Sequence, residues 1–365
     1  MDASVTTIPE IALYIERGLE QIRTDYESAI NKTLDDEVRK RIHMQYLLGG
    51  KNIRERGLLL AYGMTSNYRE PPEYLLKAGA ATALAHTATL CHDDVQDEAD
   101  ERRGVTTLAA SIGPAAAIAV GDQLIAKAYE LVTDLRSPFP RRQLSGALKY
   151  LAQGQRDEQL LQHDIKKGVY NFSLEQPLTK EQLDYLATRQ SHIAYHKTGS
   201  LIEAVFAIGA HYGRDSKLFQ NDPDYKTAFL LYRGSVQVIG LDAGYCYQLA
   251  DDILDVTGDP TITGKPVATD LRNGVLNRVY VEVLKSTAPL PEKIRLFNIL
   301  NGTITDEPSI QATITTAIDY GTPRVERYLH ERKEKLSRAI SKLDIADVSK
   351  QYLELMIEKL VERKA

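Results

Sequence analysis

Residues 84–97 read Leu84-Ala85-His86-Thr87-Ala88-Thr89-Leu90-Cys91-His92-Asp93-Asp94-Val95-Gln96-Asp97. An apolar, small-residue run passes without a breaker into a D-D-x-x-D cluster. The same character reaches back to Leu75, and 75–89 carries one formal charge, Lys77. Such a run predicts a buried helix that ends in acid. Positions i and i+4 of a helix share a face, so Asp93 and Asp97 project together. Asp94 stands about 100° round the axis, at the rim of the same site. Carboxylates this close repel, and a resident cation removes that cost. Far along the chain the pattern recurs as Gln248-Leu249-Ala250-Asp251-Asp252-Ile253-Leu254-Asp255. One acidic run reads as readily as a solvated helix face. Two, each beside an apolar segment, suggest two helices meeting face to face across a cleft, with carboxylates aimed at common cations. The donors are all oxygen, with no Cys or His at tetrahedral spacing, which favours Mg²⁺ over Zn²⁺.

Outward from these clusters the chain reads as helix after helix. Residues 114–135, 194–209 and 237–256 are further buried candidates, with apolar positions at helical spacing. Residues 329–364 alternate Leu336, Ile340, Leu343, Leu353 and Leu360 with many charges, the mark of an amphipathic surface helix or pair. No β alternation with hairpin turns is evident. The Gly/Pro/Thr-rich stretch 257–267 is the clearest loop, directly after the second cluster. No linker divides the 365 residues, so one domain is expected over 1–365, with an N-terminal helical extension at 1–40 and a site loop at 257–275.

Composition bounds the function. A net charge of −5 and no basic patch interleaved with aromatics argue against nucleic acid. No apolar run reaches the ~18 residues of a membrane span, and Met1-Asp2-Ala3 does not open a signal peptide. The two cysteines, Cys91 and Cys246, make no disulfide framework and read as buried small hydrophobes. The expected compartment is the cytoplasm. Cations are dispersed: Lys51 and Arg54 after Gly49-Gly50, where backbone can approach an anion; Arg102 and Arg103, each able to clamp a different phosphate; Lys197 in an otherwise apolar helix; Lys265 in the loop.

In this order the motifs resemble the trans-prenyl diphosphate synthase (polyprenyl synthetase) family, from about Leu47 to the C-terminus. Gly49-Gly50-Lys51-x-x-Arg54 is similar to its G-G-K-R-x-R segment. His86 through Asp93-Asp94-x-x-Asp97 to Arg102-Arg103-Gly104 resembles its first aspartate-rich motif. Gly121-Asp122, Gly154-Gln155 and Lys197-Thr198 match its G-D, G-Q and K-T segments. Tyr247-Gln248-x-x-Asp251-Asp252-x-x-Asp255 resembles its second aspartate-rich motif, and Gly264-Lys265 with Asp270-Leu271 its G-K-x-x-G-x-D-L. The chain departs from the pattern at Asn52, Glu55, Ala83, Tyr247 and Ala268. It departs also at Val275, where the family commonly has a diphosphate-binding lysine.

The resemblance implies an all-α, isoprenoid-synthase-like helical bundle around a central cavity, a homodimer, and head-to-tail condensation of isopentenyl diphosphate with an allylic diphosphate. It implies Mg²⁺, three ions with substrate bound, held by Asp93, Asp94, Asp97, Asp251, Asp252 and Asp255. Arg102 and Lys265 would act on the allylic diphosphate. Lys51, Arg54, His86 and Arg103 would hold isopentenyl diphosphate, and Lys197, Thr198 and Gln248 would face the carbocation. In this family bulky residues four or five positions before the first aspartate block the growing tail. Here those positions are Thr89 and Ala88, with Ala85 one turn deeper, all small, which implies a C20 or longer product. Close helix packing explains the small residues equally well. A non-catalytic partner subunit is the alternative, to which Asn52 and Val275 lean. A class I terpene cyclase lacks the Asp251–Asp255 pattern, and a di-iron bundle needs Glu-x-x-His pairs that these helices do not have.

Overall fold

Both acidic clusters lie at the C-terminal ends of long helices. The computed structural model describes residues 7–44, 52–102, 104–170, 172–213, 225–259 and 267–362, with 225–229 as backbone. The helices are α1 (Ile8–Thr33), α2 (Asp36–Ile42), α3 (Ile53–Ser66), α4 (Glu73–Gln96), α5 (Leu108–Ile112), α6 (Pro114–Thr133), α7 (Phe139–Lys166) and α8 (Lys180–Ala194). There follow α9 (Ser200–Tyr212), α10 (Tyr225–Thr257), α11 (Thr269–Arg272), α12 (Arg278–Lys285), α13 (Leu290–Leu300), α14 (Glu307–Thr316), α15 (Thr322–Ser341) and α16 (Asp347–Val361). Strands β1 (Glu101–Arg102) and β2 (Val105–Thr106) form a two-residue antiparallel ribbon. It is the sole strand pairing among the described residues, and the alternation rule cannot register so short a ribbon. Gly104, at φ +73°, turns it.

The chain forms two compact units: Met1–Leu148 with Leu201–Leu241 and Ala339–Met356, and Lys149–Ser200 with Asp242–Arg338 and Ile357–Ala365. In the first, α4 is the central helix. Its Leu75, Ala78, Ala81, Leu84, Ala85, Ala88 and Cys91 are fully buried or nearly so. Small side chains let neighbours approach: a Cβ on Gly79 would come within 2.7 Å of Ile22 on α1. The hydroxyls of Tyr26 and Thr87 join α1 to α4 at 3.0 Å. Helix α1 starts at a capping box, with Thr7 and Glu10 satisfying each other's backbone N–H.

The run expected to be one helix over 194–209 is divided. Helix α8 ends at Ala194, five residues Tyr195–Gly199 form a π turn, and α9 begins at Ser200. π turns widen the backbone ladder and recur at functional sites. Here the turn carries Lys197 and Thr198. Tyr195 stacks on Tyr245 of α10, with ring centroids 4.2 Å apart and planes 8° from parallel. Residues 329–364 resolve into the amphipathic pair α15 and α16. Within 257–275, Thr269–Arg272 is helical rather than loop. Among the described residues no helix is long and apolar enough to cross a membrane.

Candidate active site

At the end of α4, the Asp97 amide donates to the Asp93 carbonyl at 2.8 Å. The i, i+4 register therefore persists to the last residue, and Asp93 and Asp97 share a face. Asp97 is exposed and Asp93 half-buried. Asp94 is different. It is 0% exposed, and its Oδ1 accepts the Arg102 Nε–H at 2.7 Å. The ribbon that follows the motif thus folds Arg102 back onto it. Arg102, the residue expected on the allylic diphosphate, donates through Nε to the buried carboxylate of the motif.

His92 is seated by the G-D segment of α6. A Cβ on Gly121 would lie 2.3 Å from His92 Nε2. The ring nitrogen lies 3.3 Å from the Ile118 carbonyl and 3.5 Å from the Asp122 carboxylate. Glycine at 121 is required by close approach.

On α10 the design repeats with other donors. Asp251 and Asp255 are half-buried, while Asp252 is 2% exposed. Its carboxylate accepts from Gln248 Nε2 at 2.9 Å, Gln190 Nε2 at 3.3 Å and the Arg278 backbone N–H at 2.9 Å. The last is the first N–H of α12, whose positive end suits an anion. Burial, opposed by the Gln248 and Arg278 bonds, pushes the Asp252 carboxyl up to about 7.

The chain after α10 then returns to Asp255. The Ala268 amide donates to the Asp255 carbonyl at 2.7 Å, and the Asp270 amide lies 3.3 Å from its Oδ1. Asp270 is itself half-buried, and desolvation with Asp255 close by raises its carboxyl well above the usual range. Asn277 caps α12 by accepting from the Tyr280 amide and donates from Nδ2 to Asp270 at 3.0 Å. Ala268 sits at φ +58°, the left-handed region that favours glycine, so the family's glycine there has a conformational reason.

The π turn of the second unit carries Lys197 and Thr198. Lys197 Nζ donates to Glu158 on α7 at 2.7 Å. Thr198 Oγ1 donates to Gln248 Oε1 at 2.6 Å, and Gln248 passes its own N–H to Asp252. The relay is oriented, leaving the Thr198 lone pairs and the Gln248 carbonyl as its negative ends. In the first unit, Arg54 of α3 meets His86 of α4, NH1 to Nε2, at 2.9 Å. As the guanidinium can only donate, His86 Nε2 accepts. Ala85, Ala88 and Thr89 are buried, and the Thr89 hydroxyl is spent on the His86 carbonyl at 2.8 Å. Lys51, Arg103 and Lys265 lie outside the described residues.

Sequence reasoning missed Gln190, Glu158, Asp270, Asn277 and Arg278 as supports of the second motif. Asp270 carried a signal, the Asp-Leu pair after the loop. Gln190 and Arg278 carried none, since their roles come from tertiary packing. All the acidic donors are oxygen, which suits a hard cation. Among the described residues no three His, Cys, Asp or Glu side chains form a group that could by itself hold a metal ion.

The polyprenyl synthetase family model matches residues 37–317. A geranylfarnesyl diphosphate synthase of Aeropyrum pernix is 30% identical over 322 residues, 86% of this chain and 91% of that protein. A geranylgeranyl diphosphate synthase of Sulfolobus acidocaldarius is 27% identical over 349 residues, 93% and 97% of the two chains. The crystal structure of a polyprenyl synthase from Caulobacter crescentus, complexed with calcium and isoprenyl diphosphate, superposes with a TM-score of 0.80 at 22% identity, covering 100% of both chains. With its helices, its two acidic motifs and the relay beside the second in the expected order, the chain belongs to the polyprenyl synthetase family of trans-prenyl diphosphate synthases.

Proposed function

We propose that the chain condenses isopentenyl diphosphate with an allylic diphosphate to give an all-trans polyprenyl diphosphate of C20 (geranylgeranyl) or longer, in a Mg²⁺-dependent reaction. One observation carries the metal assignment. Both acidic triplets occupy the C-terminal ends of long helices, and neither helix has a basic residue in its last turn. Each carboxylate there opposes the helix dipole by about 0.3–1 kcal/mol, a penalty that a divalent cation reverses.

Asp93, Asp97 and Asp251, with Asp255 nearby, would hold the ions. Bound Mg²⁺ supplies charge stabilisation to the departing diphosphate oxygen. The allylic C–O bond breaks, pyrophosphate leaves with the electron pair, and the double bond of isopentenyl diphosphate attacks the allylic cation. The proton lost in closing the new double bond goes to pyrophosphate. Asp94 and Asp252, both buried, keep their motifs in register. Thr198 and Gln248 present oriented oxygen dipoles to the cation, and Lys197, steadied by Glu158, offers charge to the diphosphate. Arg54 and His86 serve isopentenyl diphosphate, with Lys51 and Arg103 by family resemblance, as Lys265 serves the allylic substrate. A homodimer in the cytoplasm is part of the same reading.

Val275 favours a second reading, a partner subunit of a heteromeric synthase. One experiment separates the two: the purified chain alone, with Mg²⁺, labelled isopentenyl diphosphate and primers of several lengths, read by product chain length. Elongation to C20 or beyond supports the first reading, and no product from the lone chain supports the second. In an active chain, Ala88→Phe should shorten the product. An unchanged product distribution would place the floor of the tail site elsewhere.

A further inference from the structure

Arg332 on α15 belongs to none of the motifs, yet it joins the parts of a partly buried network in the second unit. Its NH1 donates to Asp242 Oδ1 on α10 at 3.2 Å, and its Nε and NH2 donate to the Tyr328 hydroxyl at 3.2 and 2.8 Å. The guanidinium also lies 5.4 Å from the Tyr245 ring centroid and 5.3 Å from that of Tyr328. Asp242 accepts a second bond, from the Tyr195 hydroxyl at 3.1 Å. Tyr195 is the first residue of the π turn, three before Thr198. On the other side, the Arg278 guanidinium lies 5.0 Å from the Tyr328 ring centroid and donates to Ser191 Oγ at 2.9 Å. The backbone N–H of the same Arg278 is one of the donors to Asp252.

These contacts close a ring. From Asp252 it runs through Gln248 and Thr198 to the π turn. From Tyr195 it returns through Asp242, Arg332 and Tyr328 to Arg278, and so to Asp252. The side chains of Arg332 and Asp242 are 23% and 26% exposed, so water screens the pair less than it screens a surface ion pair. A planar guanidinium that bonds two partners while lying against two rings fixes their directions as well as their separation. Direction matters here, because a preorganised dipole stabilises charge only where it points. We infer that Arg332, with Asp242, is a positioning residue for prenyl transfer: through Tyr195 it fixes the π turn, and through Tyr328 and Arg278 the support of Asp252, so that the Thr198 and Gln248 oxygens keep their aim at the allylic cation. This rests on the prenyl-transfer reading of the same site.

The test compares the wild type with Arg332→Leu and with Tyr195→Phe, which keeps the stack on Tyr245 and removes only the hydroxyl. Each is made alone and in a Thr198→Val background. Three quantities are read: Tm, kcat well below Tm, and the KM of each diphosphate substrate. Arg332→Leu should lower kcat by about 10-fold or more, with both KM values held. Tyr195→Phe should lower kcat in the same way but by less. In the Thr198→Val background neither change should cost much further in kcat, because both break the relay that Thr198→Val has already broken. Wild-type kcat in the folded single variants overturns the inference, whether or not Tm drops, because it makes Arg332 a structural tie between α15 and α10. Effects on kcat that multiply with those of Thr198→Val overturn it too. Should Arg332→Leu fail to fold, Tyr195→Phe decides on the same readings. A wild type that forms no prenyl product would instead refute the reaction reading.

Discussion

The two aspartate motifs solve one problem with different chemistry. In each, the first and fifth carboxylates remain at least partly accessible while the second is sunk into the protein. Asp94 is held by a full charge, the Arg102 guanidinium on a two-residue ribbon. Asp252 is held by dipoles alone, two glutamine amides and the first N–H of α12. The first arrangement neutralises the buried charge. The second only solvates it, and burial, against those bonds, still pushes the Asp252 carboxyl up to about 7. The loops differ likewise: the ribbon clasps by a side chain, whereas the segment after α10 clasps by backbone, through Ala268 in a strained conformation. The first motif is locked by an ion pair and the second by a set of hydrogen-bond dipoles.

The comparison gives an order of effects. Removing the accessible carboxylates should matter most. Asp93→Ala or Asp251→Ala should lower kcat by roughly two to four orders of magnitude, as expected when charge stabilisation of a leaving group is lost. Near-normal turnover in either would break the parallel between the motifs.

Next come the buried pair. Asp94→Ala removes the buried carboxylate that accepts the Arg102 Nε–H and should cost about 3 kcal/mol in denaturant unfolding. Asp252→Asn keeps one acceptor for its donors and should cost about 1–2 kcal/mol. The reverse ranking would show that dipoles, not the guanidinium, make the firmer lock.

The titration follows. A carboxyl raised from 3.8 to about 7 holds its proton in the folded state where the unfolded chain has released it. Its contribution is full below about pH 4 and is lost as pH rises through about 7. The metal-free protein should therefore lose stability from pH 5 to 8, by on the order of 2–4 kcal/mol from this group. Asp270, raised in the same direction, adds to the slope. Asp252→Asn should flatten part of it, and a parallel slope in that variant would remove Asp252 from the account. The smallest effect is at Ala268→Gly, which relieves the positive φ and should stabilise by about 1 kcal/mol in thermal unfolding.

Much of this was legible from residue order. The D-D-x-x-D spacing implied that Asp93 pairs with Asp97 and Asp251 with Asp255 on one helical face, and the Ala-rich run before Asp93 implied a buried α4. The inward turn of Asp94 and Asp252 was not legible, because it depends on what packs 100° round the axis. For Asp252 that is Gln190 and Arg278, 62 and 26 residues away. The π turn was hidden as well, since residues 194–209 have an apolar pattern that a continuous helix satisfies equally. The substitution of glycine by Ala268 was visible, but its meaning appeared only with the backbone angle.

The most direct measurement is calorimetric titration of inorganic pyrophosphate into the wild type, Asp93→Ala and Asp251→Ala, each with and without Mg²⁺. The account expects binding to the wild type only when Mg²⁺ is present, weakened at least 10-fold in both variants. Wild-type affinity in either variant, or equal binding without the metal, would contradict it.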